Sequence, residues 1–478
     1  MITALRPYQS AGVDDLHAAF AGGAMRVLYT LPTGGGKTVI FTELARLAAA
    51  SGTRTCILVH RDTLLLQASR KLYECGVQHS VIAPGRRGRY RDLVHVASVQ
   101  TLVRRLSDHA FDFLIPDEAH HAVSPTYQKV FRAWPEAHVL GVTATPIRTD
   151  GQGLDGVFQQ LVLGPSIGDL IRDGYLVDPV YVGAKKLVDL SHVRTRMGDY
   201  DAKQLADAMD RSEITGDAVE HYRELCPGAP AVVFCVSVKH AEDVAADFCR
   251  AGFRAACVSG KDPVSVIRQR VGGLSDGSVQ VLASCDLISE GFDAPALTAA
   301  ILLRPTKSLA VYLQQVGRAL RPVYAPGFDT AGRDGRLAAI AASGKPHALV
   351  LDHAGNCFRP GFGFADDERE WTLAGRKRRG GGAGAIPAIA ARQCPSCFKC
   401  HRPGPACPYC GHVYVVVSEA PDVVAGQLVK IDKEAMRAMR RDLLRKAQTY
   451  PELKEAAKLL GYSPQWAWRV YCERGASV

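Results

Sequence analysis

The sequence predicts an α/β protein with two tandem parallel-sheet lobes, followed by a small four-cysteine ribbon and a helical C-terminal segment. Two separate series of apolar strand-like runs alternate with helix-like stretches, which is typical of parallel sheets. A glycine-rich turn joins the first strand to the first helix of the first series, and two Cys-Pro-x-Cys pairs lie near residue 400. The expected domains are a first lobe at 1–178, a second lobe at 179–358, a basic glycine-rich linker at 359–392, a cysteine ribbon at 393–415 and a helical segment at 416–478.

Length and composition describe a globular protein with more than one core. The 478 residues exceed a single ordinary core, and 47% apolar with 22% charged residues is typical of a soluble globular protein. The start of the chain, Met1–Arg6, does not resemble a signal peptide, and no uninterrupted apolar run could span a bilayer. We therefore expect a cytoplasmic protein with no membrane partner. The net charge of +10 favours a polyanionic partner but decides little by itself.

The stretch Leu31–Thr38 follows the strand-like run Val27–Thr30 and precedes a helix-like stretch. A glycine-rich turn there lets backbone N–H groups surround phosphate oxygens, and the helix N-terminus adds its positive dipole end. Lys37 is expected to reach the β- and γ-phosphates of ATP, and Thr38 to hold Mg²⁺. An ordinary glycine turn is the alternative, because Leu31 stands where a strict phosphate loop has glycine. The nucleotide-binding residues predicted here are Thr33, Gly34, Gly35, Gly36, Lys37 and Thr38.

The segment Asp117–His120 comes directly after the apolar run Phe113–Ile115, about 80 residues beyond the glycine-rich loop. Ligands of parallel sheets gather at the carboxyl ends of the strands, where both segments are expected to lie. An aspartate at such a strand end can bind Mg²⁺ through water, and the adjacent glutamate can orient and deprotonate an attacking water. We therefore assign the metal role to Asp117 and the general-base role to Glu118.

Two weaker signals flank this site in the sequence. Gln9 has a side-chain amide that both donates and accepts, so it can read an adenine edge, although a capped surface helix is the alternative. Thr143 and Thr145 lie two residues apart at the end of a strand-like run and therefore share one side of an extended backbone. Their hydroxyls are expected to link the hydrolysis site to the second lobe, and a strand ending in a turn is the alternative.

Together these motifs resemble a superfamily 2 helicase of the DEAD/DEAH type. The resemblance rests on Arg6–Gln9, the Gly34–Thr38 loop, Asp117–His120 and Thr143–Thr145. It implies RecA-like lobes, ATP-dependent work on nucleic acid, a nucleotide contact from Arg6, and coupling through His120 and the two threonines. It also implies contacts to the nucleic-acid backbone, for which the chemically suited residues are Arg61, Ser98, Gln100 and Thr101.

The second strand–helix series carries a segment, Tyr312–Arg321, that matches the arginine-finger motif of helicases through Gln314, Gly317, Arg318 and Arg321. The two arginines are three residues apart, so on a helix they share one face. Two guanidinium groups presented across a cleft can stabilise the charge on a transferring phosphoryl group. A solvated helix face is the alternative for an isolated arginine pair.

Other second-lobe positions are assigned by the resemblance alone. The segment Ser289–Pro295 resembles the preceding helicase motif, which places Gly291 and Asp293 near the nucleotide. Ser237 and Ser259 occupy the second lobe's nucleic-acid positions.

Two Cys-Pro-x-Cys knuckles, Cys394–Cys397 and Cys407–Cys410, are separated by nine residues. A two-residue gap places both thiolates of a knuckle on one tetrahedral metal, and the second knuckle completes four ligands. We therefore predict a zinc (Zn²⁺) site formed by Cys394, Cys397, Cys407 and Cys410. Cys400 is the alternative to Cys397, with His401 and His412 also nearby.

From Asp366 to the end, 19 Lys and Arg stand against 12 Asp and Glu, so the tail carries +7 of the net +10. This excess suits an accessory grip on nucleic acid. The whole layout resembles the RadD-type DNA repair helicases and their prophage-encoded relatives. That resemblance implies DNA recombination and repair, with DNA and a single-stranded-DNA-binding protein as partners.

Three alternative functions stay open at this point. The motif Asp-Glu-Ala-His does not distinguish DNA from RNA, so an RNA helicase is one alternative. It can also be the motor subunit of a restriction or defence system, in which a partner supplies the nuclease. From a different class, it can be a non-motor zinc-dependent DNA-binding protein, against which Glu118 and the arginine pair argue.

Overall fold

The fold is taken from a computed structural model, which describes residues 5–148, 150–184, 189–196, 198–209, 214–285, 297–375, 391–414, 442–460 and 464–473. The chain divides into two compact units, Met1–Tyr414 and Val415–Val478. The first unit contains both sheets and the cysteine cluster. The predicted Gly291 and Asp293 lie outside the described residues.

The first sheet has eight strands. They are β1 Arg26–Thr30, β2 Thr55–Val59, β3 His79–Ala83, β4 Arg86–Arg87, β5 Val94–Ser98, β6 Phe113–Pro116, β7 His138–Thr143 and β8 Gln160–Leu163. Their order is β4-β3-β5-β2-β6-β7-β1-β8, and every pair is parallel except β3 with β4. The helices that connect and cover them are α1 Pro7–Ala21, α2 Lys37–Ala50, α3 Asp62–Glu74, α4 Val99–Leu102, α5 Pro125–Ala133 and α6 Ile167–Arg172.

The second sheet also has eight strands, and a separate two-stranded pair precedes its first covering helices. The strands are β9 Asp178–Gly183, β10 Thr195–Arg196, β11 Asp199–Tyr200, β12 Ala231–Phe234, β13 Ala255–Val258, β14 Val281–Ser284, β15 Ala299–Leu302, β16 His347–Asp352, β17 Arg392–Gln393 and β18 Lys399–His401. The helices are α7 Ala202–Met209, α8 Ile214–Leu225, α9 Val238–Arg250, α10 Val264–Asp276, α11 Leu309–Gly317 and α12 Arg333–Ala341. The sheet order is β13-β14-β12-β15-β16-β9-β18-β17, with β10 and β11 forming the antiparallel pair.

The predicted α/β class with two parallel-dominated sheets is confirmed. Continuous apolar runs predict burial on both faces, and β2 has this property: Ile57 and Val59 lie in the core of one face, whereas Cys56 and Leu58 lie in the core of the other. After β9, Thr195–Arg196 and Asp199–Tyr200 form the short antiparallel pair β10–β11. Its two strands are only two residues long, too short for an alternating pattern to be visible.

The first part of the stretch predicted as a linker, 359–392, makes contacts with both lobes. Residues 362–375, which we call the strap, pack against both lobes. On the second lobe, Phe362 and Phe364 are buried in the core, and the Ala365 N–H donates to the Tyr181 hydroxyl (2.8 Å). On the first lobe, the Leu373 carbonyl accepts from the Leu154 N–H (2.6 Å). The segment 376–390, which holds the basic run, lies outside the described residues.

The cysteine ribbon is joined to the second sheet. Strand β18 pairs antiparallel with β9, so that Cys400 lies opposite Tyr181. The Arg402 guanidinium reaches the strap and donates to Asp366 (2.8 Å) and Asp367 (2.7 Å). The ribbon is therefore an extension of the second lobe rather than a separate module.

The second unit, described by itself, contains helical residues 442–446, α13 Tyr450–Leu459 and α14 Pro464–Glu473. Thr449 and Glu452 form a capping box at the start of α13, and Leu453, Ala456 and Ala467 form a small core. The predicted helical C-terminal segment is thus confirmed for these residues. Among the described helices, none is both long and apolar enough to cross a membrane.

Candidate nucleotide site and cysteine cluster

The glycine-rich loop connects the buried strand β1 to helix α2. Gly34 and Gly36 both have φ of +89°, which is a backbone conformation that side chains disfavour. A Cβ on Gly36 would lie 2.5 Å from the Gln9 Nε2 atom. The loop can therefore fold tightly here only because these positions have no side chain, as an anion cradle requires.

Lys37, the first residue of α2, is half-buried, and its Nζ donates to the Leu31 carbonyl at 3.4 Å. Burial lowers the pKa of Lys37, while the charges of Glu118 and Asp117 raise it and those of Arg318 and Arg321 lower it again. The charges of both carboxylates and both guanidinium groups thus act on the Lys37 ammonium group. These cations come from both lobes, and a bound polyphosphate would offset their mutual repulsion.

The two acidic residues lie at the carboxyl end of β6, beside the loop. Asp117 accepts the Glu118 N–H at 3.0 Å, and Glu118 has φ of +49°, which costs a non-glycine residue about 1–2 kcal/mol. Burial and the charge of Glu118 raise the pKa of Asp117 to about 6. Two buried carboxylates held together in this way fit a divalent cation, whose charge would offset theirs.

The predicted coupling residues lie next to this pair. His120 Nδ1 is 3.5 Å from Glu118 Oε2. The Thr143 hydroxyl donates to the Thr145 carbonyl at 2.9 Å, so it closes its own turn. The Thr145 hydroxyl is buried and has no hydrogen-bond partner among the described residues. A link from these hydroxyls to the second lobe stays a prediction.

Arg6 and Gln9 lie against the loop as well. The Gln9 side chain accepts from the Arg6 N–H (2.9 Å) and donates to the Gly35 carbonyl (3.3 Å), so both ends of its amide are engaged. Sequence reasoning missed Tyr8, whose hydroxyl donates to the same Gly35 carbonyl at 2.7 Å. Arg6 Cζ also lies 4.8 Å from the ring centre of Tyr175, which no motif indicated.

The arginine motif meets the loop from the second lobe. A Cβ on Gly317 would lie 2.8 Å from Thr33 Cβ, and one on Gly34 would lie 3.5 Å from Arg321 Cγ. Gln314 and Arg318 are buried on the same segment. The structure therefore brings Thr33 and Gly34 of the first lobe next to Gly317 and Arg321 of the second. Thr38, the predicted Mg²⁺ ligand, follows Lys37 in the first turn of α2.

Lys345 is a further charged residue that no motif identified. It is only 2% exposed, and its Nζ donates to the Arg321 carbonyl. Burial and the charge of Arg321 lower the pKa of Lys345 to about 7. Its signal in the sequence, a lysine between Gly344 and Pro346, is indistinguishable from that of a surface turn.

The predicted nucleic-acid residues of the first lobe follow two paired strands. Arg61 comes just after β2, while Ser98, Gln100 and Thr101 lie at the end of β5. The Ser98 hydroxyl donates to the Gln100 side chain at 2.9 Å, and Gln100 Nε2 donates to the His60 carbonyl at 3.1 Å. These residues lie together at one edge of the sheet.

In the second lobe the two predicted serines make local contacts. The Ser237 hydroxyl accepts from the His240 N–H (3.0 Å) and so caps α9. The Ser259 hydroxyl donates to Asp262 (3.1 Å). Their assignment to nucleic acid stays a prediction.

The four predicted cysteines form one cluster in the ribbon. Cys394 Sγ and Cys410 Sγ are 3.6 Å apart, Cys397 Sγ and Cys407 Sγ are 3.7 Å apart, and all four lie within 4.8 Å of one another. Zinc–sulfur bonds of about 2.3 Å in a tetrahedron require sulfur–sulfur distances of about 3.8 Å. The geometry therefore fits a metal with four thiolate ligands.

Cys400, the alternative ligand, lies outside this cluster. It is buried in the core of the second lobe beside Cys357, where hydrogen bonding between the two thiols, followed by burial, raises the pKa of Cys357. His401 instead contacts the Tyr414 hydroxyl at 2.6 Å. In the described part of the ribbon, the cluster thus consists of the two knuckles alone.

Two family models match the chain. The family described as "Type III restriction enzyme, res subunit" matches residues 2–148, and "Helicase conserved C-terminal domain" matches residues 217–323. These ranges include the phosphate loop and the acidic pair in one case, and the arginine motif in the other. Helicase domains of this kind imply ATP and Mg²⁺.

The chain is similar to several curated proteins. A 51.5 kDa protein of Lactococcus phage (isolate 7-9) is 29% identical over 411 residues, which cover 85% of this chain and 82% of that protein. "Putative ATP-dependent helicase IRC3" of Saccharomyces cerevisiae is 29% identical over 354 residues, covering 66% of this chain and 49% of that protein. The Schizosaccharomyces pombe relative of similar name is 30% identical over 336 residues, and 55% of its length is covered. The chain therefore spans about half the length of the two yeast relatives.

Among solved structures, the chain is similar to "The fragment structure of a putative HsdR subunit of a type I restriction enzyme from Vibrio vulnificus YJ016". The TM-score is 0.55 at 20% identity, over 73% of this chain and 64% of that one. At this identity the likeness shows the fold alone.

Proposed function

Because the chain belongs to the superfamily 2 helicases of the DEAD/DEAH type, we propose that it is an ATP-dependent DNA helicase or translocase acting in DNA repair or recombination. The observation that carries this proposal is the meeting of two lobes at one site. Lys37, Asp117 and Glu118 come from the first sheet, and Arg318 and Arg321 come from the second. A non-motor DNA-binding protein has no need of a buried charged site between two lobes.

Each residue has a distinct task in the proposed reaction. Lys37 and the N–H groups of the loop bind the β- and γ-phosphates, and Glu118 takes the proton of the attacking water. Arg318 and Arg321 stabilise the negative charge that develops on the transferring group. When bound, Mg²⁺ neutralises phosphate charge, and Thr38 and Asp117 would hold it.

Motion follows from the same arrangement. ATP contacts residues of both lobes, so its binding favours the closed cleft and its hydrolysis removes that preference. If each lobe also binds nucleic acid, the two lobes bind and release the strand in turn as the cleft opens and closes, and the protein moves along it. This coupling requires that the open and closed arrangements bind both ATP and nucleic acid with different affinity.

The choice of DNA is supported by the basic tail and by the resemblance to RadD-type helicases. A second candidate is the motor subunit of a restriction system, favoured by the "Type III restriction enzyme, res subunit" model over residues 2–148. In both cases the cysteine cluster would hold zinc, which would stabilise a ribbon too small to have a core of its own. The proposed partner is DNA. If the protein acts in DNA repair, a single-stranded-DNA-binding protein is proposed as a second partner.

The test is an ATPase panel on the full-length protein with single-stranded DNA, duplex DNA, single-stranded RNA and no nucleic acid. We expect DNA to stimulate hydrolysis more than RNA does. Lys37→Ala should remove nearly all stimulated turnover, because it deletes the phosphate-binding ammonium group. Stronger stimulation by RNA would instead support an RNA helicase, and no ATPase at all would support a non-motor protein.

A further inference from the structure

Three imidazole rings lie in contact beside Glu118, the proposed general base. The contacts between these rings have no part in the reaction proposed above. The ring centres of His60 and His121 are 4.3 Å apart, and those of His121 and His120 are 4.2 Å apart. His120 Nδ1 is in turn 3.5 Å from Glu118 Oε2. We call these three residues the histidine track.

The outer end of the track lies at the nucleic-acid edge. His60 is the residue after β2, and its carbonyl accepts the Gln100 side-chain N–H at 3.1 Å. Val59 and Ser98 are paired in the two neighbouring strands, which fixes the positions of His60 and Gln100 relative to each other. Gln100 is exposed, so a phosphate oxygen at this edge can compete for the same amide.

The inner end of the track acts on Glu118. The His121 N–H donates to the Glu118 carbonyl at 3.0 Å, so backbone and ring of His121 serve different contacts. Glu118 itself has φ of +49°, a conformation that persists only where its surroundings enforce it. The ring contacts of His120 and His121 are part of those surroundings, together with the bond from the Glu118 N–H to Asp117.

We propose that His60 and His121 are positioning residues that transmit the occupation of the nucleic-acid edge, through stacked rings, to the carboxylate of Glu118. Phosphate binding at Gln100 weakens the hydrogen bond from its side chain to the His60 carbonyl. The ring contacts then transmit the resulting shift of His60 to His120 and Glu118. The inference rests on the proposed function, since it assigns a path by which nucleic acid stimulates ATP hydrolysis. It requires flat rings in contact and no transfer of a proton.

The test compares His121→Ala with His121→Phe at saturating nucleic acid. Alanine keeps the backbone bond to Glu118 but removes the ring, whereas phenylalanine keeps a flat ring. The ratio of stimulated to basal ATPase should fall at least about fivefold in His121→Ala, within the usual range of coupling between sites. The KM for ATP should change less than about twofold, and His121→Phe should recover most of the ratio.

Two further variants separate a path from general damage. His17→Ala, on the exposed side of α1, should keep the wild-type ratio. Gln100→Ala should lower the ratio, and the double variant Gln100→Ala/His121→Ala should lose no more than the larger single loss, because both act through one path.

The outcomes identify which idea has failed. If the wild type is stimulated and His121→Ala is stimulated equally, the histidine track is wrong and the proposed function stands. Additive losses in the double variant would also overturn the track. A wild type that no nucleic acid stimulates would overturn the proposed function, and the track with it.

Discussion

The phosphate-loop end of the first sheet and the ribbon edge of the second sheet are both built on parallel strands, yet they are assembled in different ways. At the loop end, eight consecutive residues, Leu31–Thr38, make the turn, and single residues from elsewhere complete it. At the ribbon edge, β9, the strap and β18 come from three separate segments and are held together by packing, hydrogen bonds and the ion pairs of Arg402 with Asp366 and Asp367. Substitutions that change the functional groups of the phosphate-loop end should therefore impair turnover. Substitutions that disturb packing at the ribbon edge should impair stability.

This contrast predicts a clean division of mutant effects. Variants at the loop end should abolish turnover while the protein stays folded, because the buried site adds little to the folding free energy. Variants at the ribbon edge should lower stability and weaken lobe coupling while some turnover persists. The four predictions below test that division, beginning with the largest effect.

Glu118→Gln should lower stimulated ATPase at least about a hundredfold, since the amide cannot accept the proton of water. ATP binding should be retained, because Glu118 is not assigned a phosphate contact. Single-turnover kinetics with labelled ATP, together with equilibrium binding, would measure both quantities. The melting temperature should stay near the wild-type value.

Glu136→Gln, an exposed change of the same kind, is the matched control and should leave turnover unaltered. Turnover in Glu118→Gln within a few-fold of wild type would contradict the role of Glu118 as the base. Loss of folding instead would break the division between the two regions.

The same contrast explains how much the sequence could predict. The loop, the acidic pair and the arginine motif are short patterns whose residue types follow directly from their chemistry, so their positions could be read without knowing which strands are neighbours. The strap could not, because Phe362, Phe364 and Ala365 stand in a glycine-rich stretch with no helical or strand period. The position of the strap depends on contacts with Tyr181 and Leu154, which are distant from it in the sequence.

Some site residues were hidden for the same reason. Tyr8 lies inside the recognised Arg6–Gln9 motif, so its contact with Gly35 could have been suspected from its position. Lys345 and Tyr175 could not, since their contacts with Arg321 and Arg6 join residues that are distant in the sequence. Sequence patterns give the chemistry of a site, whereas its outer contacts depend on tertiary packing.

Cys407→Ser should abolish metal binding and destabilise the ribbon, with a smaller effect on turnover than Glu118→Gln. Cys407 is buried, and loss of one thiolate leaves three ligands where a tetrahedral site needs four. Plasma mass spectrometry should find about one zinc per wild-type chain and almost none in the variant. The melting temperature should fall because β18 is paired with β9 of the second sheet.

Cys249→Ser is the matched control, since Cys249 is exposed and lies outside the cluster. Full zinc content in Cys407→Ser would refute the ligand assignment. An unchanged melting temperature after zinc loss would show that the ribbon edge does not depend on the metal for its packing.

The Mg²⁺ requirement of the ATPase should increase as the pH falls through about 6. Burial and the neighbouring Glu118 raise the pKa of Asp117 to about 6, so below that pH protons compete with Mg²⁺ for its carboxylate. The half-saturating Mg²⁺ concentration should rise about fourfold between pH 7.5 and pH 5.5, and stay flat above pH 7. Ionising Asp117 also disfavours the folded state as the pH rises towards 6, so Mg²⁺ should raise the melting temperature most above that pH.

The control for this titration is ATP itself, whose own affinity for Mg²⁺ must be measured at each pH and divided out. A corrected requirement that is constant from pH 5.5 to 7.5 would show that Asp117 is ionised throughout. In that case the loop end is more strongly stabilised electrostatically than its burial indicates.

The smallest effect should come from Gly153→Ala, which tests the strap without touching any charged group. A Cβ on Gly153 would lie 2.1 Å from the Leu373 carbonyl oxygen and 2.4 Å from the Ala374 carbonyl carbon, and backbone atoms cannot move aside cheaply. The strap should separate locally from the first lobe, at a cost of about 1–3 kcal/mol in unfolding free energy. Protease cleavage within residues 366–375 should become faster, and stimulated turnover should fall a few-fold because the lobes lose one connection.

Gly156→Ala, three residues away, is the matched control: its added Cβ would have no neighbour within 4 Å, so this variant should behave as wild type. If both variants behave alike, the strap contributes nothing to holding the lobes, and the second region of the comparison reduces to the ribbon alone.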